Sequence, residues 1–96
     1  MKQDEDMKRV EVFFNGKVQG VFFRANIQRK AKALGITGVT KNLTDGRVWC
    51  LLEGKEEELK DFIKWACSGI PMAKVQSVEE KWGHYLEEYT GFDIIH

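Results

Sequence analysis

Two segments with helix-like spacing of apolar residues constrain the fold of this chain more than any other feature of its sequence. The first, Phe23–Leu34, gathers its apolar residues in one stripe and is followed by Gly35, a residue suited to a left-handed helix cap. The second begins with the acidic run Glu56–Glu58 and ends before Gly69. Its stripe consists of Leu59, Phe62, Ile63 and Ala66. Because each helix is apolar on one side only, both are predicted to cover one face of a single sheet.

Segments in which apolar residues alternate with others flank and separate these helices, and we predict that they form strands. The predicted strands are Val10–Phe14, Ile36–Asn42, Arg47–Glu53, Ala73–Trp82 and a short last strand at Phe92–Ile94. The order β-α-β-β-α-β predicts a ferredoxin-like α+β sandwich. We expect one antiparallel sheet with two helices on one face, plus the short C-terminal strand.

The length of 96 residues suits one domain with a single core. Residues 1–8 mix acids and lysines without an apolar period, so we expect a loose N-terminal tail followed by a single domain at 9–96. No apolar run approaches the roughly 18 residues of a membrane span, and Met1–Arg9 lacks the apolar stretch of a signal peptide. We therefore expect a cytoplasmic protein with no membrane partner, and a monomer.

The balance of charge argues against a nucleic-acid partner. The chain has 15 basic and 15 acidic residues, whereas proteins that bind nucleic acid usually carry a basic excess. Trp49 and Leu51, on the sheet face away from the helices, suggest the aromatic platform of RNA-recognition domains. The segment Arg47–Leu51 lacks the basic-Gly-aromatic pattern of those domains, so we expect no nucleic-acid binding.

The predicted order brings two distant segments together. The first strand, the first helix and the second strand form a split crossover, which is right-handed in nearly all proteins. The two strands then run parallel with the third between them, so their carboxyl ends lie about 10 Å apart. The predicted loop Asn15–Val21 follows one of these ends and Asn42 lies at the other, so both can contact one small ligand.

The segment Gly16–Arg24 has the chemistry of an anion site. A glycine-spaced loop that leaves a strand and enters a helix presents several backbone N–H groups without intrahelical partners. Arg24, in the first helical turn, adds a planar set of donors suited to phosphate oxygens. From spacing alone, an ordinary strand-to-helix turn with a surface arginine remains an alternative. The segment is not a P-loop, since no Gly-Lys-Ser/Thr follows.

The same segment, with the pattern G-x-V-Q-G-V-x-F-R, resembles the first signature of the acylphosphatase family. A second signature is similar over Gly38–Val48, and the similarity extends from about Val10 to Ile95. The resemblance implies a hydrolase that cleaves the carboxyl-phosphate bond of acyl phosphates without a metal or cofactor, and that binds inorganic phosphate or sulfate as product-like ligands. It also implies that Arg24 binds the substrate and that Asn42 orients the attacking water. The implied phosphate-binding loop consists of Gly16, Lys17, Val18, Gln19, Gly20, Val21, Phe22 and Phe23.

Two positions depart from the family pattern. Val39 stands where a large aromatic residue is usual, and Thr40 where a small apolar residue is usual. These departures support an alternative, a non-catalytic ferredoxin-like module that binds a phosphorylated or anionic ligand. The remaining candidate ligands, Cys50, Cys67, His84 and His96, show no metal-site spacing, so we expect buried thiols and surface histidines.

Overall fold

The structure, a computed structural model, describes residues 6–96. Its elements in chain order are β1 (Met7–Lys17), α1 (Phe23–Leu34), β2 (Thr37–Asn42), β3 (Val48–Lys55), α2 (Glu56–Ser68), β4 (Lys74–His84) and β5 (Phe92–Ile94). The predicted order of elements is confirmed. The C-terminal cap of α1 is also confirmed, since Gly35 has a φ of 74°. Neither helix in residues 6–96 is long and apolar enough to cross a bilayer.

The strands form one five-stranded sheet in the order β4-β1-β3-β2-β5. Both β1 and β2 are antiparallel to β3, which lies between them, so β1 and β2 are parallel to each other. This is the split crossover that the order of elements predicts. The last strand, β5, pairs in parallel with β2, which makes the sheet mixed rather than wholly antiparallel. The carboxyl ends of β1 and β2 lie at the same end of the sheet.

Strand β1 is longer at its carboxyl end than its alternating pattern predicted. Pairing with β4 continues through a bulge between Asn15 and Gly16 and ends at Lys17, where the sequence predicted a loop from Asn15 onward. Gly16 has a φ of 135°, and a Cβ atom there would overlap the carbonyl oxygen of Lys74. Pairing at the bulge thus requires glycine at position 16, and the extra residue is Gln76 of β4, which lies between the partners of Asn15 and Gly16.

The strand also begins earlier than expected. The predicted tail, residues 1–8, falls mostly on residues 1–5, which lie outside the described residues. Met7 and Lys8 already belong to β1, opposite Lys55 and Gly54 of β3. The strand extends this far because β3 itself continues to Lys55 and supplies pairing partners.

Both helices pack on one face of the sheet, as their apolar stripes predicted. Buried residues of α1 and α2 meet alternate residues of β1 and β3 in a single core. The strand residues of this core are Val10, Val12, Phe14, Val48, Cys50, Leu52 and, from β5, Phe92. Leu34, predicted to end the stripe of α1, is 40% exposed because it is the last helical residue before the cap.

On the opposite face, polar and cationic groups cover the aromatic rings. The guanidinium of Arg47 lies 4.9 Å from the centre of the Phe13 ring. The indole N–H of Trp49 donates to Glu11 Oε2 at 2.9 Å, and Leu51 is buried. Trp49 and Leu51 therefore do not form the open platform that their positions in the sequence suggested.

A buried carboxylate fixes the segment 85–91 that connects β4 to β5. Glu53 accepts the backbone N–H groups of Leu86 and Glu88, each at 2.9 Å, and Arg9 Nη1 at 3.1 Å. Burial alone raises the pKa of Glu53, but the two amides and Arg9 lower it, so the net pKa lies below its ordinary value. This network holds the segment so that β5 reaches β2.

Candidate active site

A pocket of about 280 Å³ lies where β1 ends, α1 begins and β2 ends. Six of the residues that line it were predicted site residues: Val18, Gly20, Phe22, Phe23, Arg24 and Asn42. Ala25 and Ile94 complete the lining. The split crossover therefore brings the loop, Arg24 and Asn42 to one place, as the order of elements predicted.

The sign of the backbone φ angle alternates along the loop. Gly20 and Phe22 have positive φ values of 77° and 59°, whereas Val21 between them does not. Alternation of this kind curls successive N–H groups into a concave nest that favours anions. Among residues 6–96, no acceptor is found for the N–H groups of Gly20, Val21 and Phe22. Gly20 and Phe22, which line the pocket, thus have N–H groups without a partner in the described residues.

The start of α1 adds positive potential at the same place. The first turn of α1 contains no acidic residue, and its N-cap, Phe22, makes no side-chain cap. In contrast, Glu56, Glu57 and Glu58 occupy the first turn of α2. The partial positive charge at a helix N-terminus is therefore offset at α2 and not at α1.

Arg24 carries the full positive charge of the pocket. The ion pairs found in residues 6–96 involve Arg9, Arg47 and Lys60, and none involves Arg24. Its half-buried guanidinium is therefore available to an anion in the pocket. A guanidinium can bind two phosphate oxygens at once through parallel N–H donors.

Asn42, the last residue of β2, lines the same pocket. Its Oδ1 atom is buried and is the one buried side-chain polar atom in residues 6–96 found without a hydrogen-bond partner. Buried polar atoms are nearly always paired, so an exception indicates a bound water, an ion or ligand contact, or a functional group. A neutral amide oxygen can accept a proton of a water molecule.

The loop is tied to the end of β2 by a side chain. Gln19 Nε2 donates to the carbonyl oxygens of Leu43 at 2.8 Å and Arg47 at 3.0 Å. Leu43 follows Asn42 directly, so this amide links the phosphate-binding loop predicted from the sequence to the residue proposed to hold water.

Four predicted loop residues do not line the pocket. Gly16 and Lys17 belong to β1, opposite Val75 and Lys74 of β4. Gln19 acts through its side chain on the hairpin between β2 and β3, and Val21 packs against the core. Sequence reasoning missed Ile94 because β5 is only three residues long and its pairing with β2 has no local signal. No local signal marks Ala25, an exposed residue in the first turn of α1.

The residues considered as metal ligands, Cys50, Cys67, His84 and His96, do not line this pocket. In the part of the chain that the structure describes, no three His, Cys, Asp or Glu side chains group as metal ligands would. Cys50 is buried as expected, and burial raises the pKa of its thiol to about 12, against a smaller opposing effect of its hydrogen bond to Thr40. Cys67 is only half-buried, so the expectation of buried thiols holds for one cysteine.

The comparison with known proteins agrees with this geometry. A family model for acylphosphatases matches residues 10–94. This chain belongs to the acylphosphatase family. An acylphosphatase from Pelotomaculum thermopropionicum is 42% identical over 86 residues, which are 90% of this chain and 94% of that protein.

Two solved acylphosphatase structures share the fold. That from Coxiella burnetii has a TM-score of 0.90 at 33% identity and covers 99% of this chain and 100% of its own. That from Bacillus subtilis has a TM-score of 0.88 at 34% identity and covers 93% of this chain and 99% of its own. The ferredoxin-like acylphosphatase fold is confirmed, and the chain is an enzyme that hydrolyses acyl phosphates.

In this acylphosphatase the two unusual residues of β2 are accommodated. Thr40 is fully buried; its hydroxyl donates to the carbonyl of Trp49 at 2.9 Å and accepts the thiol of Cys50 at 3.2 Å. Val39 is 7% exposed and lies opposite Leu51. The departures thus leave no unpaired hydroxyl beside Asn42, and the non-catalytic alternative loses its support.

Proposed function

We propose that the acyl phosphate is hydrolysed in this pocket, with the phosphoryl group held by Arg24 and the loop amides and the attacking water oriented by Asn42. The observation that carries the proposal is the convergence of three unsatisfied groups on one pocket. These are a guanidinium without an ion pair, loop N–H groups without acceptors, and a buried amide oxygen without a donor. The first two suit a phosphoryl group and the third suits water.

The reaction needs little beyond positioning. The water oxygen forms a bond to phosphorus while the bond from phosphorus to the acyl oxygen breaks, and the electron pair leaves with the carboxylate. A proton of the water passes to a phosphoryl oxygen, since no imidazole or carboxylate lines the described pocket. A carboxylate is a stable leaving group, so no acid is required at the acyl oxygen. Arg24 and the amides stabilise the charge that spreads over the phosphoryl oxygens.

The orientation of the water follows from the chemistry of the amide. Asn42 Oδ1 accepts one O–H of the water, which turns an oxygen lone pair away from the amide. If phosphorus lies on that side, the lone pair points at it, and the reaction becomes effectively unimolecular. The proposed reaction uses no metal, and the protein is proposed to be a cytoplasmic monomer.

The test is hydrolysis of acetyl phosphate, followed as release of inorganic phosphate. We expect turnover, and we expect inorganic phosphate to inhibit competitively because the amides and Arg24 recognise the phosphoryl group that substrate and product share. Purely noncompetitive inhibition would place the phosphate site elsewhere. The same assay with EDTA tests the metal-free reaction: activity lost to the chelator and restored by magnesium or zinc would refute it.

A further inference from the structure

The side chain of Phe22 points away from the core although it lies next to a core residue of the same type. Phe22 is 81% exposed, whereas Phe23 is 1% exposed and packs edge-on against Phe14 at 5.2 Å between ring centres. Phe22 also has φ 59° and ψ 27°, a left-handed conformation that non-glycine residues seldom adopt. Folding thus exposes a large apolar ring and holds its backbone in a strained form, and strain of this kind clusters at functional sites.

Phe22 is one of the residues that line the pocket with Arg24 and Asn42. The other apolar residues that line this pocket, apart from Gly20, are Val18, Phe23, Ala25 and Ile94. Polar groups that fix orientation, set in a mainly apolar wall, are the usual composition of a small-molecule site. Once Arg24, the loop amides and Asn42 have taken the phosphoryl group and water, only the apolar part remains for the acyl group.

We propose that the Phe22 ring contacts the acyl group, and that the enzyme prefers acyl phosphates with apolar acyl groups, aromatic or of several carbons, over acetyl phosphate. This rests on the proposed function, since it assigns the second half of the same substrate. The polar groups recognise what all acyl phosphates share, and Phe22 discriminates among them through apolar contact area. Its exposure in the free enzyme is then the accessible surface that the acyl group covers on binding.

The experiment compares kcat/KM for acetyl, hexanoyl and benzoyl phosphate in the wild type and in Phe22→Ala and Phe22→Tyr. Acetyl and hexanoyl phosphate release carboxylates of nearly equal basicity, so their ratio reports contact with the chain rather than intrinsic reactivity. Met72→Ala is the matched control. Met72 is also an exposed apolar residue with positive φ, 74% exposed at φ 69°, and it does not line the pocket.

We expect Phe22→Ala to lower the hexanoyl-to-acetyl and benzoyl-to-acetyl ratios of kcat/KM by about 10-fold, the scale of apolar discrimination by one side chain. Phe22→Tyr should keep ratios close to those of the wild type, and Met72→Ala should leave both unchanged. If Phe22→Ala lowers kcat/KM equally for all three substrates, the inference is overturned, because the ring would then affect only the conformation of the loop. So would an equal change of the ratios in Met72→Ala.

Binding of phosphonate analogues separates this inference from the proposed function. Acetylphosphonate and hexanoylphosphonate carry a carbon-phosphorus bond and cannot be hydrolysed, so calorimetry measures their affinities whether or not the enzyme turns over. Tighter binding of hexanoylphosphonate that is lost in Phe22→Ala supports the contact even if acyl phosphates are not hydrolysed. Equal affinity of the two analogues for the wild type contradicts the contact even if hydrolysis is fast.

Discussion

The side-chain amide of Gln19 donates a hydrogen bond of 2.8 Å to the carbonyl oxygen of Leu43, across the gap between the proposed phosphate-binding loop and the end of β2. The same nitrogen donates to the carbonyl of Arg47 at 3.0 Å, so both amide protons are used. Leu43 and Arg47 are themselves joined by a backbone hydrogen bond of 2.8 Å. Gln19 therefore sets the position of the hairpin that follows Asn42 relative to the loop that precedes Arg24.

Replacing Gln19 by leucine should lower kcat more than it raises KM. The substitution keeps the approximate size of the side chain but removes both hydrogen bonds, so the residue after Asn42 loses its tie to the loop. A displacement of about 1 Å at a reacting group can cost up to about 100-fold in rate, and we expect a loss of about 10-fold or more in kcat. Steady-state kinetics with acetyl phosphate measures it.

Gln28→Leu is the control for this prediction. Gln28 Nε2 donates to the carbonyl of Phe92 at 2.9 Å, a hydrogen bond of the same kind between α1 and β5. Loss of this hydrogen bond should lower the free energy of unfolding, as measured with urea, without moving the β2–β3 hairpin. If the two variants lose stability and kcat equally, Gln19 contributes to the fold alone.

The stability of the fold should depend on Glu53 and on pH. Glu53→Gln replaces one acceptor oxygen by an NH₂ group that faces the N–H donors of Leu86, Glu88 or Arg9, so at least one buried donor loses its partner. We expect the free energy of unfolding at pH 7 to fall by about 1–3 kcal/mol. Glu56→Gln removes an exposed pair with Lys60 and one of the three acidic charges in the first turn of α2, and it should lower the free energy of unfolding by less.

The pH dependence of this effect has a definite sign. The pKa of Glu53 is lowered in the folded state, so the folded protein binds this proton less readily than the unfolded chain. The contribution of the carboxylate is fully present above the unfolded pKa, about 4.3, and is lost as pH falls through the lower folded value. Urea unfolding at pH 7 and at pH 3 should show that the difference in the free energy of unfolding between wild type and Glu53→Gln is smaller at pH 3. If this difference is the same at both pH values, the charge of Glu53 is not what stabilises the segment.

Thiol labelling should distinguish the two cysteines. Burial raises the pKa of Cys50 to about 12 and leaves its sulfur fully enclosed, so the reactive thiolate is scarce and inaccessible in the folded protein. Burial together with Glu80 also raises the pKa of the half-buried Cys67, so this thiol should react slowly. With a chromogenic disulfide at pH 8, we expect one thiol to react in the native protein and two in urea. Rapid native labelling of both would contradict the burial of Cys50.

The sequence predicts the parts of this site that have a local signal. The bounds of α1 are predicted correctly because an apolar stripe ends at Gly35, and the meeting of Arg24 and Asn42 follows from the handedness of the crossover. The outward position of Phe22 depends on a positive φ that phenylalanine does not signal. The place of Ile94 depends on a three-residue parallel pairing between segments more than 50 positions apart, which propensity does not encode.

The final prediction separates the proposed roles of Arg24 and Asn42 by kinetics. Arg24 should contact the phosphoryl group both in the bound substrate and in the transition state, so Arg24→Ala should raise KM and also lower kcat. Arg24→Lys should restore little, because an ammonium group lacks the planar pair of donors that matches two phosphate oxygens. Inorganic phosphate should bind to the Arg24→Ala variant much more weakly than to the wild type.

Asn42 should act on the attacking water, which contributes little to holding the ground-state substrate. Asn42→Ala should lower kcat by about 100-fold or more while KM and phosphate affinity stay close to those of the wild type. Circular dichroism must show both variants folded, since Asn42 is the last residue of β2 and pairs with Val48. A folded Asn42→Ala enzyme with a kcat near that of the wild type would remove the asparagine from the mechanism. Arg24 and the loop would then form a phosphate site whose water is oriented by some other group, and the unpaired Oδ1 atom would need another explanation.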